Sequence, residues 1–539
     1  MSGVVAQYRR WSISGPIITI LVGLMILSFG QCRLYAAENA ARPNKAGKST
    51  VNRDGEKHAK THASTRKEGQ SKPTPAKQIF FPKPPTYEVN GITYKVIDRY
   101  NKWFLLLFND KSFSAVEGHI AELLKQQHNE KYAYELYELY KYLANLWNMT
   151  NEQLKSVEST LNEWCAASPN SHIPWLVRGN FLGSYGWLIR GSDYASNVSN
   201  EAMFKFHEYL KRAKIDLEKS RKINSEDPNS SASLIIVAKG LKYSYAQMEY
   251  YFSCALKACP GHYGAYWNKF DYIKPRWYGS WSELYEFANE SLELSKEYPF
   301  LSDIMLEYYR EISDVGLEDT SFLSNAEVWN RINKIFVNYF SKYPDDLQWH
   351  FYYALFAYNA KKYDIAIKQF ELIGNTWLVQ TSWYYLKTYN NARARTNYEC
   401  AARVNPEKSL SYLKKAVELD PYMARYPYEL GSLQMELRMY DEAEKSLLKA
   451  INIDSCFVPA QLRLSYLYGA VKGDQKLARD YAANVLRCDT CEIQNYLARE
   501  YMAGNFSTVY KVPRVVKKEP RWQKYYDYWR YFFTMRLFQ

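Results

Sequence analysis

Seven residues in two short stretches combine fixed positive charge with aromatic surface. Arg178, Tyr185, Trp187, Arg190 and Tyr194 lie in the first, Arg276 and Trp277 in the second. Guanidinium groups hold a carboxylate or phosphate through paired hydrogen bonds, and Trp187, Tyr194 and Trp277 could wall in a small ligand. The same residues also have a structural use, with arginine capping helix carbonyls and Trp277 plugging a gap between helical units. That structural use is the leading expectation. Gly191 and Gly279 beside them read as turn positions that permit positive φ.

The other groups able to do chemistry are sparse. Cys488 and Cys491 form a C-x-x-C, but no second such pair and no histidine pair completes a zinc site. Their expected role is packing or a helix end, with a disulfide between them as the alternative. Gly47-Lys48-Ser49-Thr50 imitates the end of a phosphate-binding loop, yet Arg42 stands where the first glycine belongs and no strand precedes it. His119, His207 and His350 fall within helical patterns, and Glu135 and Glu138 read as a solvated helix face. H-E-x-x-H, G-x-S-x-G and a dinucleotide fingerprint are absent. The expectation is a chain that is no enzyme and holds no cofactor or metal.

Elements that could position these residues are legible from the C-terminal side. Leu413, Ala416, Val417, Leu419, Asp420 and Leu430 recur at one constant offset as Leu447, Ala450, Ile451, Ile453, Asp454 and Leu464. Gly431 supplies the small residue of a first helix, and Ala443 and Ala450 those of a second. In offset and pattern this resembles the tetratricopeptide repeat, a two-helix unit that buries its apolar face only against neighbours and therefore stacks into a solenoid. Allowing one inserted residue, Ala443 maps to Ala478 in the next unit.

The same steps, counted from prolines, lead upstream. Pro421 is followed by Pro427, Gly431 and Ala443; Pro344 by His350, Ala354, Ala366 and Phe370; Pro169 by Trp175 and Gly179. Between Pro169 and Pro344 the units are irregular, with an expanded loop at Arg190 to Ser199 and a break at Lys274-Pro275. Earlier still, Phe113, Val116, Ile120, Leu123 and Leu124 share one helical face, and a second apolar helix runs from Tyr134 to Leu146. Thr150 and Gln153 make a capping box before the helix through Trp164, and Ile92 to Val96 reads as a short extended piece.

The irregular part carries a second resemblance. Arg178-Gly179-Asn180-Phe181 through Tyr185, Trp187 and Arg190-Gly191-Ser192-Asp193-Tyr194-Ala195, the Asp216-Leu217-Glu218-Lys219 helix, and Lys274-Pro275-Arg276-Trp277-Tyr278-Gly279-Ser280-Trp281 resemble a bacterial family known as domain of unknown function 4034. The likeness covers residues 100 to 380. It implies a helical-repeat fold and brings no activity.

Arg9 and Arg10, the apolar run Ile17 to Phe29, and Ala36-Ala37 read as an export signal or N-terminal anchor. From Glu38 to Pro85 eleven Lys or Arg face four Asp or Glu with few apolar residues, which makes a basic, disordered linker. At the other end Trp522, Tyr525, Tyr526, Trp529, Phe532 and Phe533 line one face of an amphipathic helix. It would cap the last repeat or dock on a membrane surface. Much of the net charge of +13 sits in these two terminal segments, so it does not argue for nucleic acid.

The expected architecture is therefore all-α: a superhelical tetratricopeptide-like solenoid with an irregular N-terminal half. The expected segments are 1–36 signal or anchor, 37–86 linker, 87–380 irregular helical repeats, 381–505 tetratricopeptide repeats and 506–539 capping helix. The expected function is an exported scaffold in the periplasm or cell envelope that binds a protein or peptide. The alternatives are a small-ligand receptor or enzyme built on the Arg178–Tyr194 and Trp277 stretches, and a structural adaptor tethered on an anionic envelope surface.

Overall fold

A computed structural model describes Phe80 and residues 86–146, 149–314, 320–378, 386–488 and 490–507. The export signal, nearly all of the linker and the aromatic tail beyond residue 507 lie outside the described residues. The first regular element is a hairpin, β1 (Thr86–Val89) and β2 (Ile92–Ile97). Its two-residue turn, Asn90-Gly91, has φ of 55° and 75°, the left-handed pair that a tight hairpin requires.

Four helices follow: α1 (Asn101–Phe108), α2 (Phe113–Lys125), α3 (Glu130–Leu143) and α4 (Asn151–Ala167). Thr150 and Gln153 satisfy each other's backbone at the start of α4, as the capping-box spacing implies. Next come α5 (Ile173–Arg190), α6 (Asn200–Ile223), α7 (Pro228–Gly240), α8 (Tyr245–Ala258), α9 (Tyr263–Tyr272), α10 (Trp281–Leu294), α11 (Ser302–Asp314), α12 (Ala326–Lys342), α13 (Leu347–Asn359) and α14 (Tyr363–Ile373). After the short strand β3 (Thr376–Leu378) the chain continues as α15 (Leu386–Ala401), α16 (Pro406–Leu419), α17 (Arg425–Glu436), α18 (Tyr440–Ile453), α19 (Val458–Tyr466), α20 (Gln475–Val485) and α21 (Glu492–Met502). Several starts combine a side-chain cap with Pro at the first position, as at Asp227-Pro228 and Asn405-Pro406.

Pairing is set by small residues. A Cβ on Gly431 in α17 would meet Leu447 Cγ at 2.8 Å and the Ala443 carbonyl at 3.1 Å in α18. A Cβ on Gly179 in α5 would meet Leu217 Cγ at 2.7 Å and the Ala213 carbonyl at 3.3 Å in α6. These are the same contacts in the same order, but Gly179 and Leu217 stand much farther apart in sequence than Gly431 and Leu447 do. The α5/α6 pair is thus an ordinary repeat carrying a long insertion, which lengthens both helices and their connecting loop. The one-residue insertion after α19 is also accounted for: Leu467–Lys472 form a π-helical turn, the usual way a helix absorbs an extra residue. The fold is an all-α solenoid of tetratricopeptide-like helix pairs.

One buried cluster runs from Phe80 to Leu430 without interruption at residue 380, so the irregular and regular segments share a core. Phe80, which falls within the stretch read as linker, belongs to that core. It packs edge-on to Phe104 at 5.0 Å, and its backbone exchanges hydrogen bonds with the Asn109 side chain. A lone aromatic among lysines carries no periodicity that would reveal this. The hairpin is bound in the same way at long range. β2 pairs in parallel with β3, Lys95 opposite Thr376 and Ile97 opposite Leu378, and buried Tyr94 donates to Asn390 in α15.

Helix α3 holds an unexpected position. It packs on α5, α9 and the turn Pro299–Leu301. Tyr140 donates to Asp227 at the start of α7 (2.9 Å), Tyr137 lies over His262 at the start of α9 (6.0 Å), and Gln348 in α13 donates to Tyr134 (3.1 Å). The helix therefore crosses the starts of successive first helices. Glu138, read from sequence as part of a solvated face, is only 13% exposed at its side chain; the period-3.6 pattern does not report this because neighbouring helices cover more of α3 than its apolar stripe.

Candidate functional site

The insertion in the α5/α6 unit carries three of the seven candidates. α6 begins about ten residues earlier relative to its packing alanine than α18 does, which adds about 15 Å of helix, and α5 runs on past the pair to Arg190. Trp187 and Arg190 ride on this extension and Tyr194 on its loop, where Gly191 turns the chain at φ 73°. Gly279 does not have positive φ. It is glycine because a Cβ there would sit 2.2 Å from the Ile273 carbonyl oxygen, a close approach that no side chain tolerates.

The seven candidates separate into two groups. Arg178 is consumed by packing: Nε and Nη2 donate to Asp216 at 2.7 and 2.8 Å, and Nη1 donates to Asn162 at 3.0 Å. Tyr185 meets Tyr209 edge-on at 4.8 Å, and Tyr194 stands alone, 79% exposed. Trp187, Arg190, Arg276 and Trp277 come together.

The indoles of Trp187 and Trp277 cross at 79° with centroids 5.5 Å apart. The Arg190 guanidinium carbon lies 5.5 and 5.2 Å from the two rings, and Lys239 Nζ lies 4.6 and 4.9 Å from them. Lys239, at the end of α7, is buried and paired with Asp271, at the end of α9. Lys274 reaches Asp271 at 3.6 Å and Glu311 at 2.7 Å, and Arg276, exposed, stands 3.9 Å from Asp271. Burial pushes the Lys239 ammonium pKa down, and Asp271 restores it only in part. Burial alone would raise Asp271, but Lys239, Lys274 and Arg276 outweigh it and hold the carboxyl below its ordinary range.

Lys239, Asp271, Lys274 and Glu311 were not among the sequence candidates. Their signal is weak but present: Lys239 closes the apolar run Leu234 to Ala238, and Asp303, Glu307, Arg310 and Glu311 fall on one face of α11. That face meets α9. Tyr263 donates to Asp303 at 2.6 Å, Arg310 pairs with Glu307, and burial pushes the carboxyls of Asp303 and Glu307 up. The histidines behave as packing groups. His350 stacks on Phe340 at 4.3 Å and bonds Gln369 and the Pro344 carbonyl, while His119 stacks on Trp103 at 3.9 Å.

The cysteines correct the sequence reading. Cys488 is disulfide-bonded to Cys456, not to Cys491, with Cα atoms 5.6 Å apart across 32 residues. Cys491 is an exposed thiol at the start of α21. The C-x-x-C spacing drew attention to the wrong partner, because the connection between α18 and α19 brings Cys456 alongside the end of α20. Among the described residues no group of three or more His, Cys, Asp or Glu could hold a metal ion.

No family model matches the chain, and no curated protein matches it. Three solved structures align along most of its length. The crystal structure of the yeast Tom70 is 13% identical, with 80% of this chain and 100% of that chain covered and a TM-score of 0.23. The structure of Naa15/Naa10 bound to HypK-THB is 14% identical, covering 73% and 69%, at a TM-score of 0.18. The crystal structure of the APC/C hetero-tetramer Cut9-Hcn1 is 11% identical, covering 75% and 97%, at a TM-score of 0.20. Scores this low add nothing on function, and the solenoid assignment stands on the helix-pair packing above.

Proposed function

We propose that the chain is an exported helical-repeat scaffold of the cell envelope that binds a protein or peptide segment, and that it does so on its C-terminal repeats. The observation that carries this reading is the position of α3. The starts of first helices α7, α9 and α13 are already covered by the chain's own tyrosine-rich helix. Of the first helices beyond it, α15 is covered by Tyr94 of the hairpin, whereas α17, α19 and α21 carry no such cover among the described residues. Exposed apolar groups stand beside or on these helices, Tyr422 and Met423 just before α17 and Ile493 and Tyr496 on α21. Exposed aromatic and aliphatic groups on a helical-repeat surface suit the side chains of a peptide segment.

Export is supported by the apolar leader and by the Cys456–Cys488 disulfide, since disulfides persist mainly in oxidising compartments. Kinship with domain of unknown function 4034 belongs to the same proposal and rests on the Arg178–Ala195 and Lys274–Trp281 motifs. Membrane association would come from the leader or the aromatic tail.

A photo-crosslinking residue at Tyr422 or Tyr496, against a control at exposed Leu372 on the second helix α14, tests the reading in envelope extract. The expected result is one shared protein crosslinked from Tyr422 and Tyr496 and missing from Leu372. Equal crosslinking from all three positions, or none, overturns it.

A further inference from the structure

The Trp187–Trp277 cluster is rich in donors and short of acceptors. Both indole N–H groups are buried without a hydrogen-bond partner. Arg190 is buried, and its Nη1 donates to the Gly191 and Asp193 carbonyls at 3.0 and 3.1 Å. Among the described residues nothing accepts from its Nε or Nη2. An indole and a guanidinium can only donate, so these groups cannot satisfy one another. Leaving the two indole donors unpaired is costly in a desolvated place, yet two separate segments, the α5 extension and the loop after α9, bring them together beside Arg190.

The electrostatics agree. Burial pushes the Arg190 guanidinium down from its ordinary range, and repulsion from Arg276 adds to this, with Asp193 opposing. Lys239 is shifted the same way, burial first, with Asp271 opposing and repulsion from Arg276 and Lys274 adding to the shift. Two buried cations whose charge is under-compensated thus stand close to two idle indole donors. The cluster opens to solvent at Arg276, whose side chain is 56% exposed.

We propose that Trp187, Trp277, Arg190 and Lys239 form a binding site for one oxyanion, the carboxylate or phosphate group of a ligand that enters past Arg276. The indole N–H groups and the free edge of Arg190 bond its oxygens, and Lys239 and Arg276 supply charge. Gly240 keeps the site compact: a Cβ there would meet Phe206 at 2.8 Å and Trp187 at 3.3 Å. The site lies on the irregular repeats, so it stands or falls apart from protein binding on the C-terminal ones.

The test is fluorine NMR of the full chain labelled with 5-fluorotryptophan, with Trp187→Phe and Trp277→Phe to assign the two signals. Inorganic phosphate and acetate are titrated separately, against sodium chloride at matched ionic strength. The expected result is saturable movement of both signals with phosphate or acetate and none with chloride; whichever of the two binds more tightly identifies the ligand's acid group. Arg190→Met should weaken binding about tenfold or more, the usual effect of losing a hydrogen bond to a charged group. If that variant does not fold, Arg276→Gln, at an exposed position, should still weaken it measurably. Equal responses to chloride, or saturation of wild type and folded variants at the same concentration, overturn the proposal.

Discussion

Lowering the pH should loosen this fold most strongly through His262; burial also pulls down His119 and His207, which both proteins compared below retain. His262 is 1% exposed and caps α9: its Nδ1 accepts from the Ala265 N–H at 3.2 Å, so the ring proton sits on Nε2, 3.1 Å from Asn229 Oδ1. A second proton would turn Nδ1 into a donor facing an N–H, at a helix start whose dipole already disfavours positive charge. Burial accordingly pulls the imidazole down from 6.5 to about 4, with Asp227 opposing only in part. The folded state binds this proton less tightly than the unfolded chain does. Its contribution is therefore complete above 6.5 and is lost as pH falls toward about 4.

A displacement of about 2.5 units corresponds to about 3 kcal/mol at the acid end and about 2 kcal/mol by about pH 5. Urea unfolding of wild type and His262→Asn between about pH 7.5 and 4.5 reads this directly. Asn keeps an acceptor for the helix start and cannot titrate, so it should lower stability at neutral pH but flatten the slope. Asp227 titrates lower: burial alone would raise it, but hydrogen bonds from His172 and Asn229 outweigh burial and hold it below the ordinary carboxylate range. Its contribution is lost only in stronger acid. Parallel pH slopes for the two proteins would refute the reasoning.

Three further outcomes follow from the packing. Gly179→Ala and Gly431→Ala should each cost about 1 to 3 kcal/mol, because the new methyl meets the branch point of Leu217 or Leu447 and not a flexible chain end; a thermal shift near zero would show that the helix pair can open. Cys456→Ser should remove about 3 to 4 kcal/mol from the last repeats, the loop-closure value for 32 residues, and hydrogen exchange should rise in α19 and α20 but not in α5. Arg178→Ala should cost about 3 kcal/mol by leaving Asp216 buried and unpaired. Equal unfolding midpoints in wild type and that variant would make Arg178 free for ligand after all.

The repeats were legible in sequence because Gly431, Ala443 and Leu447 mark close contacts made within one unit, and their period survives into Ala354, Ala366 and Phe370. The α5/α6 unit kept its opening but lost its period, since the insertion displaced Ala213 and Leu217 from where the spacing would place them. Of the candidate site, aromatic and arginine residues near turns led to Trp187, Arg190, Arg276 and Trp277. Lys239 and Asp271 stayed hidden because what unites them is the stacking of α7 on α9, which no local pattern reports. Spacing also misled for Cys488, and although a structural use of Arg178 was the leading expectation, its partner Asp216 lies too far along the chain, on the second helix, for a local pattern to name it. The place of α3 was illegible for a related reason: its tyrosines mark a buried helix without saying what buries it.

Strand β2 has a consequence for how the molecule comes apart. A repeat array held only by neighbours opens piecemeal from its ends. Here residues 95–97 are zipped to 376–378, so closing the core requires contacts between segments at opposite ends of the described chain's larger part, a slow step for any chain. In return, everything from Phe80 to Leu430 should exchange and unfold as one cooperative block, while the shorter clusters built on α18 to α21 breathe independently. The part of the assigned partner-binding surface that lies on α19 and α21 is thus free to adjust without disturbing the rest.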